Sequence, residues 1–284
     1  MIDAHVHFWR IARGDYSLDA SSPLARDHLP PVLQPQLRAA GVDRVVLVQA
    51  AETHAENLYT VGLAKAYPWI AGVVAWIDPS SPAVVEEIAA LLSIERVRGF
   101  RPVRNGNFSL AWMLSPACDR GYRAIAVQSA SLDILIENPD DLPVAIRLAR
   151  RHPDLAVVID HCGKPDIAGG RMQPWADHIS ALAELGNVTC KFSGLLNRAR
   201  PDASVDDLMP YASHILAAFG AERLMWASDW PPLTRAAEYA RWQSVSAALL
   251  AGLSGAERAS IEQQTAERVY RLPTFDISGG RTTY

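Results

Sequence analysis

A chain of 284 residues suits one α/β barrel and is too long for a single small core. Hydrophobic residues make up 49% of it and charged residues 20%, and the net charge is −4, which excludes a disordered chain and a basic nucleic-acid-binding surface. We therefore expect one globular domain over residues 1–272, a C-terminal tail over residues 273–284, and no nucleic-acid partner.

The three cysteines, Cys118, Cys162 and Cys190, have no CxxC spacing and cannot all be paired, as in proteins of a reducing compartment. The chain begins without a basic segment followed by an apolar one, and no apolar run reaches the ~20 residues that span a bilayer. These features predict a cytoplasmic protein with no membrane partner. For the oligomeric state, the sequence allows either a monomer or a homodimer.

Short apolar runs rich in β-branched residues alternate with amphipathic stretches, which is the pattern of βα units in a parallel sheet. There are eight such runs, and eight is the number of strands in a TIM barrel. The predicted strands cover residues 2–8, 45–49, 70–78, 97–102, 132–137, 156–163, 188–194 and 224–230. The expected fold class is α/β, as a single-domain TIM (β/α)8 barrel that is either regular or distorted.

The amphipathic stretches predict helices over residues 55–66, 82–92, 139–151, 175–185, 205–219, 236–250 and 255–269. Two of them begin with a capping residue before a proline, at Ser81-Pro82 and Asn138-Pro139. Ser115-Pro116 interrupts the helical pattern of residues 104–130 and predicts a break there. Residues 10–31 have no pattern from which their structure follows.

Polar residues end every predicted strand, and in a TIM barrel the reactive side chains come from these carboxyl ends. Burying so many polar groups requires mutual pairing, a metal or a substrate, so a functional site is expected there. In strand order they are His5 and His7, Gln49, Asp78, Arg98 and Arg101, Asp133, Asp160 and His161, Lys191 and Ser193, and Ser228 and Asp229.

Three histidines are candidate metal ligands. His5 and His7 lie two residues apart on one strand, so their side chains point the same way and can hold one divalent cation. An isolated pair of this kind is as often a hydrogen-bonded surface pair. His161 by itself would more often be a core histidine, but as a third imidazole at a strand end it favours a metal site.

Asp229 is the candidate general base. It lies between Trp226 and Trp230 and before Pro231, in an aromatic, sharply turned segment where desolvation is expected to keep the carboxylate basic and well oriented. The alternative is a capping role for the next helix, since aspartate caps helices readily.

Two lysines and two arginines near strand ends have open interpretations. Lys164 and Lys191 are either solvated loop charges or partners of site carboxylates. Arg98 and Arg101 either clamp a substrate or form ion pairs at the barrel mouth, and Arg101 is the stronger candidate. An aromatic residue beside long polar side chains suits a polyol, which gives the predicted substrate-binding residues Gln49, Arg101, Lys164, Trp230, Asp133 and Trp76.

Five motifs occur in order along the chain: IDAHVHFW at 2–9, RGFR at 98–101, DHCGKP at 160–165, CKFSGL at 190–195 and MWASDWP at 225–231. Together they resemble the amidohydrolase superfamily, and within it the lactonase group that includes L-fuconolactonase, L-rhamnonolactonase and 2-pyrone-4,6-dicarboxylate lactonase. The resemblance extends to residues 268–270. Residues 15–16, 24–27 and 48–50 are most similar to the fuconolactonase branch.

The resemblance implies a lactone held over His5, His7, His161 and Asp229 as the catalytic residues. The same four would be the ligands of a single divalent ion, Zn or Mn. The usual binuclear site of the superfamily has a lysine or histidine at the end of strand five, where this sequence has Asp133. That departure argues against a carbamylated-lysine bridge and leaves one metal ion or none.

The expected function is hydrolysis of a small aldonolactone such as L-fuconolactone to the sugar acid. Asp229 would take a proton from water while His5, His7 and His161, with or without a metal ion, polarise the carbonyl. The alternatives are hydrolysis of a dicarboxylic or sulfonated muconolactone or pyrone, metal-dependent non-oxidative decarboxylation, and a non-catalytic barrel that binds a sugar acid.

Overall fold

The computed structural model describes residues 1–16, 18–104 and 109–273. Eight parallel strands form one sheet, and each strand pairs with its neighbours in the sequence from β1 to β8. A parallel bridge between Val6 and Trp230 joins the last strand to the first, so the sheet curls into a nearly closed barrel. The predicted TIM barrel is confirmed. The predicted tail lies, apart from Pro273, outside the described residues.

The strands begin within a residue of the predicted starts but end earlier than predicted. Some of the polar residues, such as His5, Asp133 and Lys191, lie within the observed strands, whereas others, such as His7, His161 and Asp229, follow the strand ends. The strands are β1 Ile2–Val6, β2 Arg44–Val48, β3 Ile70–Ala75, β4 Val97–Phe100, β5 Ser131–Ile134, β6 Ala156–Ile159, β7 Val188–Phe192 and β8 Leu224–Trp226.

Helices surround the barrel, and none of those in the described ranges has the length and apolarity needed to span a bilayer. They are α1 Pro30–Ala39, α2 His54–Ala66, α3 Val84–Leu92, α4 Asp119–Val127, α5 Leu142–Arg151, α6 Trp175–Ala183, α7 Leu195–Arg198, α8 Val205–Phe219, α9 Tyr239–Leu249, α10 Gly255–Ala259 and α11 Thr265–Val269. A π-helical turn, Ser260–Gln264, joins the last two.

Local sequence explains most helix boundaries. Asn138 caps the turn before α5 by accepting a hydrogen bond from the backbone N–H of Asp140 at 3.1 Å. The predicted break at Ser115 is confirmed, because short 3₁₀ turns precede α4 on both sides of it. The sequence did not predict α1. Its three prolines obscure an apolar face on which Leu33 and Leu37, four residues apart, are buried.

Strand residues alternate between two hydrophobic clusters. In β2, Val45 and Leu47 belong to the outer cluster with the helices, whereas Val46 and Val48 belong to a smaller inner cluster. Ala266, Tyr270 and Leu272 also belong to the inner cluster. The end of the chain therefore packs into the barrel interior, opposite the strand ends that carry the polar residues.

Gly99 marks a tight contact inside the barrel. It pairs with Ser131 across β4 and β5, and a methyl group there would overlap the Ser131 hydroxyl. We expect Gly99→Ala to lower the free energy of unfolding by roughly 1–3 kcal/mol, as overpacking does in close-packed cores. Urea denaturation measures this.

Gly62 in α2 is the matched control, since an added methyl group there meets open space. Gly62→Ala should leave stability unchanged or raise it by roughly 0.5–1 kcal/mol through helix propensity. Equal unfolding curves for the two variants would show that the β4–β5 contact is not tight.

Candidate active site

The four predicted catalytic residues meet at the carboxyl end of the barrel. His5 lies on β1 and His7 just beyond it, while His161 follows β6 and Asp229 follows β8. The Nε2 atoms of His5, His7 and His161 lie 3.8, 3.6 and 3.7 Å from Asp229 Oδ1. All four residues are buried, at 0%, 5%, 3% and 8% exposure. One carboxylate oxygen is thus surrounded by three imidazoles, and it does not cap the helix that follows.

The backbone at two of these residues is strained. His161 and Asp229 have left-handed φ values of 52° and 61°, and Cys162 and Lys164 continue the left-handed turn. For residues other than glycine this conformation costs on the order of 1–3 kcal/mol, and it persists where the surrounding structure imposes it. A Cβ on Gly194 would lie 2.7 Å from His161 Cβ, so glycine at this position makes room for the histidine.

Burial sets the charge of the imidazoles. It lowers the pKa of His5, His7 and His161, in the last case to about 4, so all three rings are neutral at neutral pH. Burial acts to raise the pKa of Asp229, but the neighbouring imidazoles, His161 foremost, outweigh it and hold that pKa below its ordinary value. The expectation that desolvation keeps Asp229 basic is therefore not met, because the histidines stabilise the carboxylate.

Hydrogen bonds orient two of the imidazoles. His7 Nδ1 lies 2.8 Å from the Val48 carbonyl oxygen, which can only accept, so this nitrogen carries the proton and Nε2 carries the lone pair. His161 Nδ1 lies 2.9 Å from Ser193 Oγ. The outer nitrogens of both rings are thereby aimed at Asp229.

Lys191 is the centre of a buried charged network below the histidines. Its Nζ lies 2.7 Å from Asp133 Oδ2, 3.0 Å from Asp160 Oδ1 and 2.9 Å from His5 Nδ1. Tyr270 also donates to Asp133 Oδ2, at 2.7 Å. Lys191 is fully buried, so it is a partner of site carboxylates and not a solvated loop charge.

The two carboxylates respond differently to this setting. Burial raises the pKa of Asp133, and Lys191 only partly offsets it. Burial also opposes ionisation of Asp160, but Lys191 and His5 outweigh it and hold the pKa of Asp160 well below its usual range. Asp160 is therefore the carboxylate that balances the charge of Lys191 in this network.

Arg101 and Gln49 are joined by two hydrogen bonds beside the histidine cluster. Arg101 Nη2 donates to the Gln49 carbonyl at 2.7 Å, and Gln49 Nε2 donates to the Arg101 carbonyl at 2.9 Å. Arg101 Nη1 lies 3.3 Å from both Asp160 Oδ2 and His5 Nε2. Gln49 Oε1 is buried and accepts no hydrogen bond from the described residues.

Asp3 ties the first strand to the last. Its Oδ1 accepts from the backbone N–H groups of His5 and Ser228, at 3.2 and 2.9 Å, and its Oδ2 accepts from the Tyr239 hydroxyl at 2.9 Å. Burial raises the pKa of Asp3 to about 6, against the effect of these hydrogen bonds. This carboxylate fixes the backbone of β1 beside the segment that carries Asp229.

A pocket of about 400 Å³ reaches His161 and Asp229. Polar and apolar side chains both line it, and Lys164 among them forms a 2.8 Å ion pair with Glu137. Asn197 donates to the Pro232 carbonyl at 2.8 Å. The other charged side chains in the lining are Arg198 and Arg235.

Not all predicted substrate-binding residues reach this pocket. Lys164 lines it, and Gln49 and Arg101 adjoin the histidines. Asp133 is fully buried beneath Lys191, and Trp230, at 2% exposure, packs against Phe8 and His28. The Trp76 indole donates to the Val103 carbonyl and is absent from the pocket lining.

Arg98 and Asp78 stand apart from the cluster. Arg98 lies near the start of β4 and lines another depression with Arg271, so its placement at the carboxyl end was wrong. Asp78 pairs with Arg104 at 3.0 Å. Sequence reasoning assigned no role to Tyr270, which reaches the network from the far end of the chain.

The cluster has the chemistry and spacing of a divalent metal site. His5, His161 and Asp229 each offer one ligand atom, and these atoms lie within 4.8 Å of one another. Neutral imidazoles with an ionised carboxylate are typical zinc ligands. His7 Nε2, with its free lone pair, lies 3.6 Å from Asp229 Oδ1 and can complete the set.

An eight-stranded barrel with histidines and an aspartate at its carboxyl end defines a TIM-barrel hydrolase. A family model described as amidohydrolase matches residues 2–272, and the chain belongs to that family. It is 37% identical over 235 residues to an L-fucono-1,5-lactonase of Burkholderia ambifaria, covering 81% of this chain and 80% of the relative. An L-fucono-1,5-lactonase of Burkholderia multivorans is 33% identical, over 96% of each chain.

A solved amidohydrolase of Burkholderia multivorans with bound zinc has the same fold. The TM-score is 0.88 at 31% identity, covering 96% of this chain and 99% of that one. These relatives confirm the resemblance drawn from the five sequence motifs.

His28 gives a pH-dependent test of the packing behind the site. It lies edge-on to Trp9 and Trp230, and burial, with Arg26 nearby, lowers its pKa to about 4. The unfolded value is near 6.5, so stability from the neutral ring is full above about pH 6.5 and is lost as the pH falls towards 4. His28→Phe should therefore lose less thermal stability than the wild type between pH 7 and pH 5.

The exposed His54 provides the control, and His54→Phe should follow the wild-type melting temperature at both pH values. If His28→Phe also follows it, the pKa of His28 is the same in the folded and unfolded states, and burial does not keep the ring neutral.

Proposed function

We propose that this protein hydrolyses small sugar lactones of the aldonolactone type, such as L-fucono-1,5-lactone, to the sugar acid. The observation that carries the proposal is an ionised carboxylate, Asp229, in contact with three neutral imidazoles beside a polar pocket. Two L-fucono-1,5-lactonases among the relatives support it. A polar wall with charged and amide groups suits the hydroxyls of a sugar lactone.

The proposed reaction begins with water held by Asp229. Asp229 accepts a proton as the water oxygen adds to the lactone carbonyl. The bond between the carbonyl carbon and the ring oxygen then breaks, and Asp229 returns the proton to that oxygen. Its low pKa makes Asp229 a modest base but, once protonated, a strong acid for this second step.

The oxyanion that forms on the carbonyl oxygen needs hydrogen-bond donors. Neutral imidazoles of His5 and His161 and the guanidinium of Arg101 are the proposed donors, since fixed donors in a buried site stabilise developing charge. A divalent ion held by His5, His7, His161 and Asp229 would supply Lewis-acid polarisation of the same carbonyl. Gln49, Arg101 and Lys164 would position the hydroxyls of the substrate. Trp230, Asp133 and Trp76, which do not line the pocket, would support the residues that do.

The domain bounds, the metal ion, the assembly and the cellular location are also proposals. We assign one domain to residues 1–272, zinc in preference to manganese because the ligands are mainly imidazoles, and a monomer or homodimer as the working assembly. A cytoplasmic location agrees with three free, buried cysteines.

Asp229→Asn tests the role of the carboxylate. We expect kcat to fall by ~100-fold or more, because general acid-base groups contribute ~10²–10⁴. Acid release from L-fucono-1,5-lactone, followed with a pH indicator, measures it. Asp202→Asn, at an exposed side chain, should retain full activity. Retention of wild-type kcat by Asp229→Asn would reject the assignment.

A substrate panel tests the reaction itself. L-Fucono-, L-galactono-, L-rhamnono- and D-arabinonolactones should be ranked by kcat/KM, with and without a chelator. We expect turnover of at least one, and the chelator arm reports whether a metal ion contributes. No acid release across the panel would contradict the proposal, and carbon dioxide from aromatic acids would identify a decarboxylase instead.

A further inference from the structure

The contacts of Lys191 determine where His5 carries its proton. We propose that Lys191 holds the proton of the neutral His5 ring on Nε2, so that His5 donates a hydrogen bond into the active site. The same arrangement puts His5 in the tautomer that cannot ligate a metal ion through Nε2. Lys191 is thus a positioning residue that opposes metal binding. The placement of this proton does not depend on the identity of the substrate.

The Lys191 ammonium has as many acceptors around it as it has protons. It has three N–H donors and no acceptor of its own. Three acceptors surround it within 3.0 Å, namely Asp133 Oδ2, Asp160 Oδ1 and His5 Nδ1. The contacts with Asp133 and His5 are hydrogen bonds, whereas Asp160 Oδ1 forms an ion pair only and has no hydrogen-bond partner among the described residues. An ammonium can only donate, so His5 Nδ1 must accept.

The neutral state of His5 then fixes the position of its single ring proton. A neutral imidazole has one proton, so a ring that accepts at Nδ1 carries the proton on Nε2. The neighbouring His7 Nε2 lies 3.0 Å away and carries a lone pair, because His7 Nδ1 donates to the Val48 carbonyl. The hydrogen bonds therefore run in one direction, from Lys191 through His5 and His7 to Val48.

Arg101 is the one competing donor at this position among the described residues. Its Nη1 lies 3.3 Å from His5 Nε2, but it is the same distance from Asp160 Oδ2, which can only accept. An Nη nitrogen has two protons, so donation to Asp160 does not by itself exclude His5. The contact between the two histidines, at 3.0 Å, is shorter than that with Arg101 and sets the direction at His5.

The opposite tautomer has a ready partner that Lys191 displaces. Asp160 Oδ1 lies 3.4 Å from His5 Nδ1, and a proton on Nδ1 would point at it. Metal-binding histidines usually donate their second ring nitrogen to such a carboxylate. Lys191 lies closer to the same nitrogen and also contacts the same carboxylate oxygen. It therefore interrupts a carboxylate–histidine–metal arrangement that is otherwise in place.

The wild-type tautomer can be measured directly. In the full-length protein, labelled with ¹⁵N-histidine and treated with a chelator, the His5 signal should show its proton on Nε2. A His5→Gln variant assigns that signal by its loss. A His5 signal with the proton on Nδ1, or on both nitrogens, would overturn the proposal without any lysine variant.

The double variant Lys191→Met, Asp133→Asn tests cause and effect. It removes one positive and one negative group, so the net charge is unchanged, and the new side-chain amide can still accept from Tyr270. We expect the His5 proton to move to Nδ1 and zinc to bind about 10–100-fold more tightly, the range by which such outer contacts change metal affinity. Competition with a chromophoric chelator measures the affinity.

Lys65→Met is the matched control, because Lys65 is exposed on α2. It should match the wild type in zinc affinity and tautomer. A folded double variant with wild-type zinc affinity and an unchanged His5 tautomer would refute the role of Lys191. If circular dichroism shows the double variant unfolded, the wild-type measurement decides alone.

Discussion

The charged network around Lys191 is the constraint on which the active site depends. An ammonium and two carboxylates lie inside the barrel with no exposed surface. Removing such charges from water costs several kcal/mol per ion, and attraction offsets that cost only when every donor and acceptor is matched. Lys191 meets most of that condition, with hydrogen bonds to Asp133 and His5 and an ion pair with Asp160 Oδ1, which has no hydrogen-bond partner among the described residues. Tyr270, which follows the last helix, also donates to Asp133. The position of His5 is thus tied to the closed amino-terminal end of the barrel.

Much of this could be predicted from the sequence, because parallel strands bring their polar ends to one face of a barrel. The grouping of His5, His7, His161 and Asp229 followed from that rule. The roles of Lys191 and Trp230 did not. Lys191 lies within β7, where strand periodicity gives the direction of a side chain but not its partners. Trp230 lies beyond the end of β8, where that periodicity no longer applies. A register shift between Asp3 and Val6 also changes the alternation just where the histidines lie. Tyr270 reaches Asp133 across 137 residues, and no local pattern reports such a contact.

The strained backbone at His161 and Asp229 is tolerated because neighbouring groups hold both segments. Asp3 accepts hydrogen bonds from the backbone N–H groups of His5 and Ser228 and so links β1 to the segment after β8. Gly194 leaves room for His161. Burial raises the pKa of Asp3, which means that burial disfavours its ionised form. Its three hydrogen bonds must offset that cost. The fold thus gives up some stability to fix the position of Asp229 relative to three rings.

The charge balance of the site fits the proposed chemistry. When Asp229 takes a proton from water and the oxyanion forms, the total charge of the buried cluster does not change. Negative charge only moves over a few ångströms, from one carboxylate to the carbonyl oxygen, past neutral imidazoles and towards Arg101. A low-dielectric site penalises new charge far more than displaced charge, provided that fixed donors already face the new position. By fixing the proton of His5 on Nε2, where it donates to His7, Lys191 would place this N–H on the side of the ring that faces Asp229 before the substrate arrives.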